Sequence, residues 1–588
     1  MIKEQDLAAA GVDARATVED WLGRFNAALS DPKPAALAAL FVEDSHWREV
    51  LALSWELKTV SGRESIGDAL ADALPRFEAR DFAIDAKRCP PQVTKRLVNV
   101  IEAILRFETR VGRGAALLRL RQDEPKLAWT LHTTLEEIRG HEEPTLRAQR
   151  EEPVVQRNFH GPNWFEKRAE AAKFKDREPA VLIVGGGHAG LTTAARLGQL
   201  GVDALVVDRM KRVGDNWRLR YRSLKLHNQH PTNHLPYIPY PSTWQAYLPK
   251  DRVANFLEFY VDALDIQFWT ETSFEGATYD AARGHWEATV MLADGGTRVL
   301  KPRHIVMATS VSGTPKIPDI PTLDRFKRPV LHSSKFGNGS QWRGKNVLIL
   351  GSGTSAHDIA QDLHGHGAHA SLIQRSPTLV VQLDSAQLYE GLFRGEGPSW
   401  EDRDLVNTSI PLELMLAMHK EITSRIAALD KPLLDALASK GFKLTQGVND
   451  TGWPYLFRTR GGGYYFNVGC SDLIVKGEVG LIQYDDIESF TGDGARMKDG
   501  RSIPADLIVL ATGYMGLNHM VEKFFSSEVS QKVGRTWGFD MHLQELSNMW
   551  MRTGQPGLWF TGGPFSACRA YSKYLALQIK ADELGLTK

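Results

Sequence analysis

The chain has 588 residues, 43% of them hydrophobic and 24% charged, with 71 basic residues balancing 71 acidic ones. That length predicts several domains rather than one core, and the even charge excludes a polyanion such as nucleic acid as the expected partner. Apolar runs stop at strand length, residues 1–6 lack the apolar core of a secretion signal, and no membrane span is expected. Cys89, Cys470 and Cys568 stand too far apart for a disulfide framework or a zinc site, so a cytoplasmic protein with reduced thiols and no metal is expected.

In chain order, residues 1–140 read as an α+β unit. Helical spacing runs through Val18, Trp21, Leu22, Phe25 and Leu29, then through Leu37, Leu40 and Phe41. Strand-like segments follow at 46–53, 55–60, 98–109, 114–122 and 128–136. Short helices followed by long antiparallel strands predict a curled sheet wrapped round a helix. The pattern resembles the cone of nuclear-transport-factor-2-like (NTF2-like) proteins. Asp44, His46 and Glu49 are candidates to face a cavity in such a cone; the preferred reading of the unit is a packing, lid or homodimerisation module. Residues 141–178 read as a charged linker, with Glu142-Glu143-Pro144 and Glu151-Glu152-Pro153, ending in a short helix.

From residue 179 onward, strands and helices alternate as in a doubly wound α/β fold. The run Val181-Leu182-Ile183-Val184 leads into Gly185-Gly186-Gly187-His188-Ala189-Gly190. This is a buried strand, a tight turn and a helix start, which aim backbone N–H groups at a pyrophosphate. Asp208, followed by Arg209, ends the next strand, where a carboxylate accepts hydrogen bonds from ribose hydroxyls. Residues 179–340 are thus read as the first part of a dinucleotide-binding domain, taken as the flavin one because two such turns in one chain suggest one flavin and one nicotinamide, and interrupted at 268–299 by a small antiparallel meander. A second fingerprint, Gly351-Ser352-Gly353-Thr354-Ser355-Ala356, follows Val347-Leu348-Ile349-Leu350. Its second strand ends in Arg375 with no acid, which suits the 2′-phosphate of NADPH; NADH is the alternative coenzyme. Residues 341–495 are read as the nicotinamide-nucleotide domain, with a helical insertion at about 385–447. Residues 496–588 return to the FAD domain through the strand at 506–514.

Further motifs match a family. The segment from Phe326 through His332 to Phe336 resembles the F-x-G-x-x-x-H-x-x-x-[YF] signature of flavin-containing monooxygenases, with Arg328 in place of the glycine. Ala511-Thr512-Gly513-Tyr514 and Gly214-Asp215-Asn216-Trp217 resemble two more family segments. The stretches 221–228, 234–241, 461–465 and 569–573 look like the type II, Baeyer–Villiger-like members. The resemblance covers roughly residues 155–588. It implies two Rossmann-type domains, FAD and NADPH as cofactors, and a small organic substrate and O2 as reaction partners. It also implies oxygen insertion through a C4a-(hydro)peroxyflavin, either into a ketone or onto nitrogen or sulfur. It places Asn228 beside the flavin and His332 at the domain junction as candidate catalytic residues. Expected cofactor contacts are Gly185, Gly187, His188, Ala189, Gly190, Asp208, Arg209, Trp217, His227, Gly351, Gly353, Thr354, Ser355, Arg375, Thr512 and Gly513.

Rival readings fare less well. A flavin disulfide reductase needs a redox-active cysteine pair, and an N-hydroxylase needs a dedicated amine pocket. A degenerate flavoprotein whose N-terminal cone does the binding conflicts with the intact glycines of both turns. His227, His230 and His234 share one loop, but their spacing is irregular and no carboxylate is near, so they are not read as metal ligands.

Overall fold

The computed structural model describes residues 13–144 and 159–587. The reading of residues 1–6 and the Glu151-Glu152-Pro153 part of the linker lie outside these residues. The N-terminal unit is a seven-stranded sheet, antiparallel except where Phe41–Val50 runs parallel to Ala128–Ile138. One face packs on the helices Ala14–Leu29 and Arg63–Arg76 through Trp21, Phe25, Ile66 and Leu70. Phe41, expected in a helix, opens the first strand instead, because the preceding helix stops at Ala38 after five residues. The helix Arg63–Arg76 was not foreseen; glycine, acids and an internal Pro75 mask its apolar stripe.

Asp44, His46 and Glu49 do not share a cavity. Asp44 is exposed, His46 bonds Ser61 Oγ at 2.8 Å, and Glu49 lies on the other strand face. There Glu49 is fully buried and accepts hydrogen bonds from the Leu53 N–H at 2.5 Å and from the Thr133 hydroxyl. Burial lifts its carboxyl from the ordinary 4.5 to about 7. A carboxyl raised in the fold is stabilising in its protonated form, so its contribution is complete below about pH 4.5 and is lost as pH rises through 7. The loss is on the order of 3 kcal/mol. Melting temperature should therefore fall between pH 5 and 8 more steeply in the wild type than in Glu49→Gln; equal slopes would remove Glu49 as the cause.

The short helix expected before the first nucleotide fold is Trp164–Ala171, capped by Asn163. Two five-stranded parallel sheets follow. In the first, the strand order is Gln267–Trp269, Ala204–Val207, Val181–Val184, His304–Met307 and Leu558–Phe560. Val181–Val184 and Ala204–Val207 are aliphatic on both faces, as burial on both sides of a parallel sheet requires. Phe268 and Trp269 were expected in the meander but belong to the edge strand of this sheet; the meander is Ser273–Leu300. In the second sheet the order is Val330–His332, Leu507–Leu510, Asn346–Leu350, His369–Gln374 and Gly480–Gln483. Residues 330–332 and 507–510 therefore belong to the second sheet, although the boundaries at 340 and 496 assigned both to the first domain. A four-residue aliphatic strand carries no mark of which parallel sheet it joins. Helices expected to end near residue 447 continue to Arg460.

The outer face of the N-terminal sheet is buried against the rest of the chain. Arg48 forms a two-point pair with Glu545 at 2.7 Å and donates to the carbonyl of Thr408 and to Tyr571 Oη. Arg88 pairs with Asp402 at 2.6 Å, Arg119 donates to Ser409 Oγ at 2.8 Å, and Lys573 meets Glu136 at 2.8 Å. The insertion helix Trp400–Thr408 is thereby held between the N-terminal unit and the terminal helix Phe565–Glu583.

Candidate functional site

Each glycine turn sits at the carboxyl end of its sheet's central strand, where the chain order reverses and dinucleotides bind in open α/β sheets. Gly185 has φ +112°, and a Cβ there would lie 2.5 Å from the Ala308 carbonyl oxygen. Gly351 has φ +133°, and its Cβ would lie 2.4 Å from the Ala511 carbonyl oxygen. The two turns thus repeat one device: a glycine pressed on the alanine that follows the neighbouring strand.

At the first turn, Gly187 is the N-cap of the helix His188–Gln199, and Gly190 packs against the turn itself. Ala189 is buried one residue into that helix. Asp208 accepts from the N–H of Gly186 at 2.6 Å and of Met210 at 2.9 Å. A carboxylate offers about four lone pairs, so two remain for ribose hydroxyls. Arg209 beside it is exposed. His188 Nε2 donates to the Gly563 carbonyl at 2.9 Å and its ring stacks on Phe565, tying the turn to the terminal helix. Burial pulls this histidine down to about 4, so it is neutral. Trp217 Nε1, Asn216 Oδ1 and Thr309 Oγ1 are buried with no protein partner. Buried polar atoms are normally satisfied; orphans of this kind around a bare glycine turn fit a dinucleotide.

At the second turn, Gly353 caps the helix Thr354–Gly365, and Thr354 Oγ1 donates to the Tyr464 carbonyl at 2.9 Å. Ser355 is half-buried, and Ala356 is fully buried. Arg375 is exposed just past the second strand and makes no hydrogen bond or ion pair among the described residues. Thr512 and Gly513 follow the strand Leu507–Leu510, at the crossing between the two folds. Thr512 Oγ1 donates to the Lys316 carbonyl at 2.5 Å, and the Lys316 N–H donates to the Gly513 carbonyl.

His332 is committed on both ring nitrogens. Nδ1 accepts from the Ser334 N–H at 3.1 Å, and Nε2 donates to the Gly513 carbonyl at 3.0 Å. Burial lowers its pKa. It ties the second sheet to the crossover and has no nitrogen left for proton transfer.

His227 and Asn228 lie on a loop of the first fold that meets the second. The His227 ring packs edge-on against Phe466 and Tyr464, and burial pulls it to about 4. Asn228 Nδ2 donates to Glu390, a buried carboxyl in the helical insertion, and Thr232 Oγ1 donates to the other oxygen of Glu390 at 3.2 Å. Tyr389 lines a cavity of about 240 Å³ whose walls include Leu379, Val381, Ile426 and Trp453. Its hydroxyl meets Thr423 Oγ1 at 2.6 Å, and no charged side chain lines the cavity among the described residues.

Arg569 organises the same loop from behind. It grips Asp404 with two bonds of 2.7 Å and donates to the carbonyls of Thr232 and His234. Sequence reasoning missed Glu390, Asp404 and the role of Arg569. Arg569 stood in a family-like stretch, but nothing local marked the two acids. Among the described residues no group of histidines, cysteines and acids is arranged to hold a metal. No helix of the described residues is long and apolar enough to cross a membrane.

Two dinucleotide folds meeting at one loop define a two-nucleotide oxidoreductase, and the pyridine nucleotide-disulphide oxidoreductase family matches residues 179–397. The three cysteines are all free and sit in three different packing clusters, so no dithiol pair accompanies that fold. Rice (Oryza sativa subsp. japonica) indole-3-pyruvate monooxygenase YUCCA1 is 30% identical over 338 residues, spanning 57% of this chain and 77% of the relative. A probable indole-3-pyruvate monooxygenase of Arabidopsis thaliana, YUCCA10, is 28% identical over 340 residues, spanning 57% and 82%. The solved structure of cyclohexanone monooxygenase bound to ε-caprolactone has a TM-score of 0.52 at 17% identity, covering 69% of this chain and 88% of that one, a likeness of fold. The chain belongs to the flavin monooxygenase family. It is an enzyme that uses FAD and a nicotinamide coenzyme to put oxygen into an organic substrate.

Proposed function

We propose that this monooxygenase prefers NADPH and acts on a neutral carbonyl compound held in the cavity beside Tyr389. The observation that carries this reading is an uncharged, largely aliphatic cavity walled by Tyr389, the residue next to the Glu390 that Asn228 bonds from the loop between the two folds. Reduced FAD, when bound, supplies the oxygen-activating chemistry. The protein's part is orientation and exclusion of water. The Asn228 amide offers donors and an acceptor to a reacting oxygen without giving up a proton. Tyr389 and Thr423 can orient a carbonyl by hydrogen bonding. An amine substrate, cationic at neutral pH, would enter a wall with no carboxylate to receive it. The relatives named as indole-3-pyruvate monooxygenases also act on a carbonyl compound by name.

The test is a screen of ketones, sulfides and amines with products identified by mass spectrometry. Esters or lactones from ketones are expected; oxidation of amines alone would overturn the carbonyl reading. For the coenzyme, Arg375 is free to bind a 2′-phosphate through paired N–H groups. Arg375→Ala should raise the KM for NADPH roughly tenfold or more and leave that for NADH nearly unchanged. Equal changes for both coenzymes would count against Arg375.

A further inference from the structure

We propose that Glu390 is a positioning residue whose protonation state decides which end of the Asn228 amide is presented to the flavin. The inference rests on the reading that Asn228 faces the cofactor. Glu390 sits in the turn Gln387–Phe393, 162 residues from Asn228 in sequence, and only 8% of it is exposed. The same turn grips the loop a second time, since Gln387 Nε2 donates to the His227 carbonyl at 3.0 Å. Asn233 Nδ2 donates to the Asn228 carbonyl at 3.2 Å, which fixes the loop backbone. Backbone and carboxyl are held, so the amide is left with one freedom, rotation end for end.

An ionised Glu390 can only accept, and it takes a bond from Asn228 Nδ2. One N–H and the carbonyl of Asn228 then remain for a reacting oxygen. A protonated Glu390 can instead donate to Asn228 Oδ1, which turns both N–H bonds outward. Desolvation lifts this carboxyl to about 7, so both forms are populated near neutrality.

The surrounding charges leave Glu390 largely to itself. On the neighbouring insertion helix Asp404 is taken by Arg569, Asp402 by Arg88, and Arg403 by backbone carbonyls. His419 faces Tyr389 and His230 faces His234, while Asp384 stands on the preceding helical turn. Arg394, four residues on, is the charge that acts on Glu390.

The experiment uses flavin-loaded full-length protein. Visible absorbance of the bound flavin is titrated from about pH 5 to 9 without coenzyme, and the fraction of consumed NADPH recovered as hydrogen peroxide is followed over the same range. Wild type should show one transition near pH 7 in both readouts. Glu390→Gln, which keeps a hydrogen-bonding partner but cannot titrate, should show neither. Glu390→Leu should leak peroxide roughly tenfold more than wild type at its best pH. A wild-type transition that survives in Glu390→Gln overturns the proposal. Asn228→Leu separates the two ideas: if it alters absorbance and peroxide release while Glu390→Gln keeps the transition, only the role of Glu390 fails. If Asn228→Leu changes neither, the placement of Asn228 fails and the role of Glu390 with it.

Discussion

Gly190→Ala should yield a colourless protein. A Cβ at residue 190 would stand 2.1 Å from the Gly185 carbonyl oxygen and 3.2 Å from Ile183 Cγ2. The first contact is with backbone, so relief requires the helix His188–Gln199 to back away from the turn. That movement carries with it the N–H groups that a pyrophosphate needs. FAD affinity is expected to fall roughly a hundredfold or more, about 2.7 kcal/mol. Gly198→Ala, on the same helix, is the control, because nothing lies within 4 Å of the added methyl. Calorimetric titration with FAD checks both variants. Retention of tight binding in Gly190→Ala would show that the turn tolerates the shift and is not the determinant.

Arg569→Leu should be the most damaging change outside the glycine turns. Arg569 is 4% exposed, and its guanidinium holds Asp404 at two points and satisfies two carbonyls of the loop that follows Asn228. Its loss leaves Asp404, whose side chain is 15% exposed, without a counter-charge, a change that approaches the cost of breaking a fully buried pair, about 3–5 kcal/mol. Through Thr232, the same loop carries one of the two bonds to Glu390. A drop in melting temperature of several degrees is expected, together with FAD retention and a fall in product formed per NADPH consumed. Unchanged coupling in a protein with lowered stability would confine Arg569 to packing. The clamp also gives the N-terminal unit a physical part in the site, because Arg88 and Arg48 hold the other side of the helix that carries Asp404.

The parts legible in the sequence were those whose chemistry is local. Val181 to Gly190 declares a strand, a turn and a helix within ten residues, and Asp208 stands one strand further on. The second turn is legible for the same reason, and so is the placement of Arg375 just past its second strand. Sheet membership was not, since Leu507–Leu510 and Val330–His332 are short aliphatic strands that would serve either sheet equally. Phe268 looked like part of a meander because only Thr270, Glu271 and Thr272 separate its strand from the antiparallel one. Asp44, His46 and Glu49 looked like a cluster by proximity in sequence, but strand pleating sends His46 and Glu49 to opposite faces. Glu390 was invisible because its meaning comes entirely from Asn228, more than a hundred residues away, in an insertion without periodic pattern.

The central claim is that this chain uses a nicotinamide coenzyme, FAD and O2 to place one oxygen atom in an organic molecule at the Asn228 loop. Turnover of an accepted ketone under ¹⁸O₂, with the product weighed by mass spectrometry, tests it most directly. The expected product carries a single heavy oxygen in wild type and falls sharply in yield in Asn228→Leu, with the two electrons of each NADPH then reducing O2 to hydrogen peroxide. A product free of label would contradict it, as would labelled product formed equally well by Asn228→Leu.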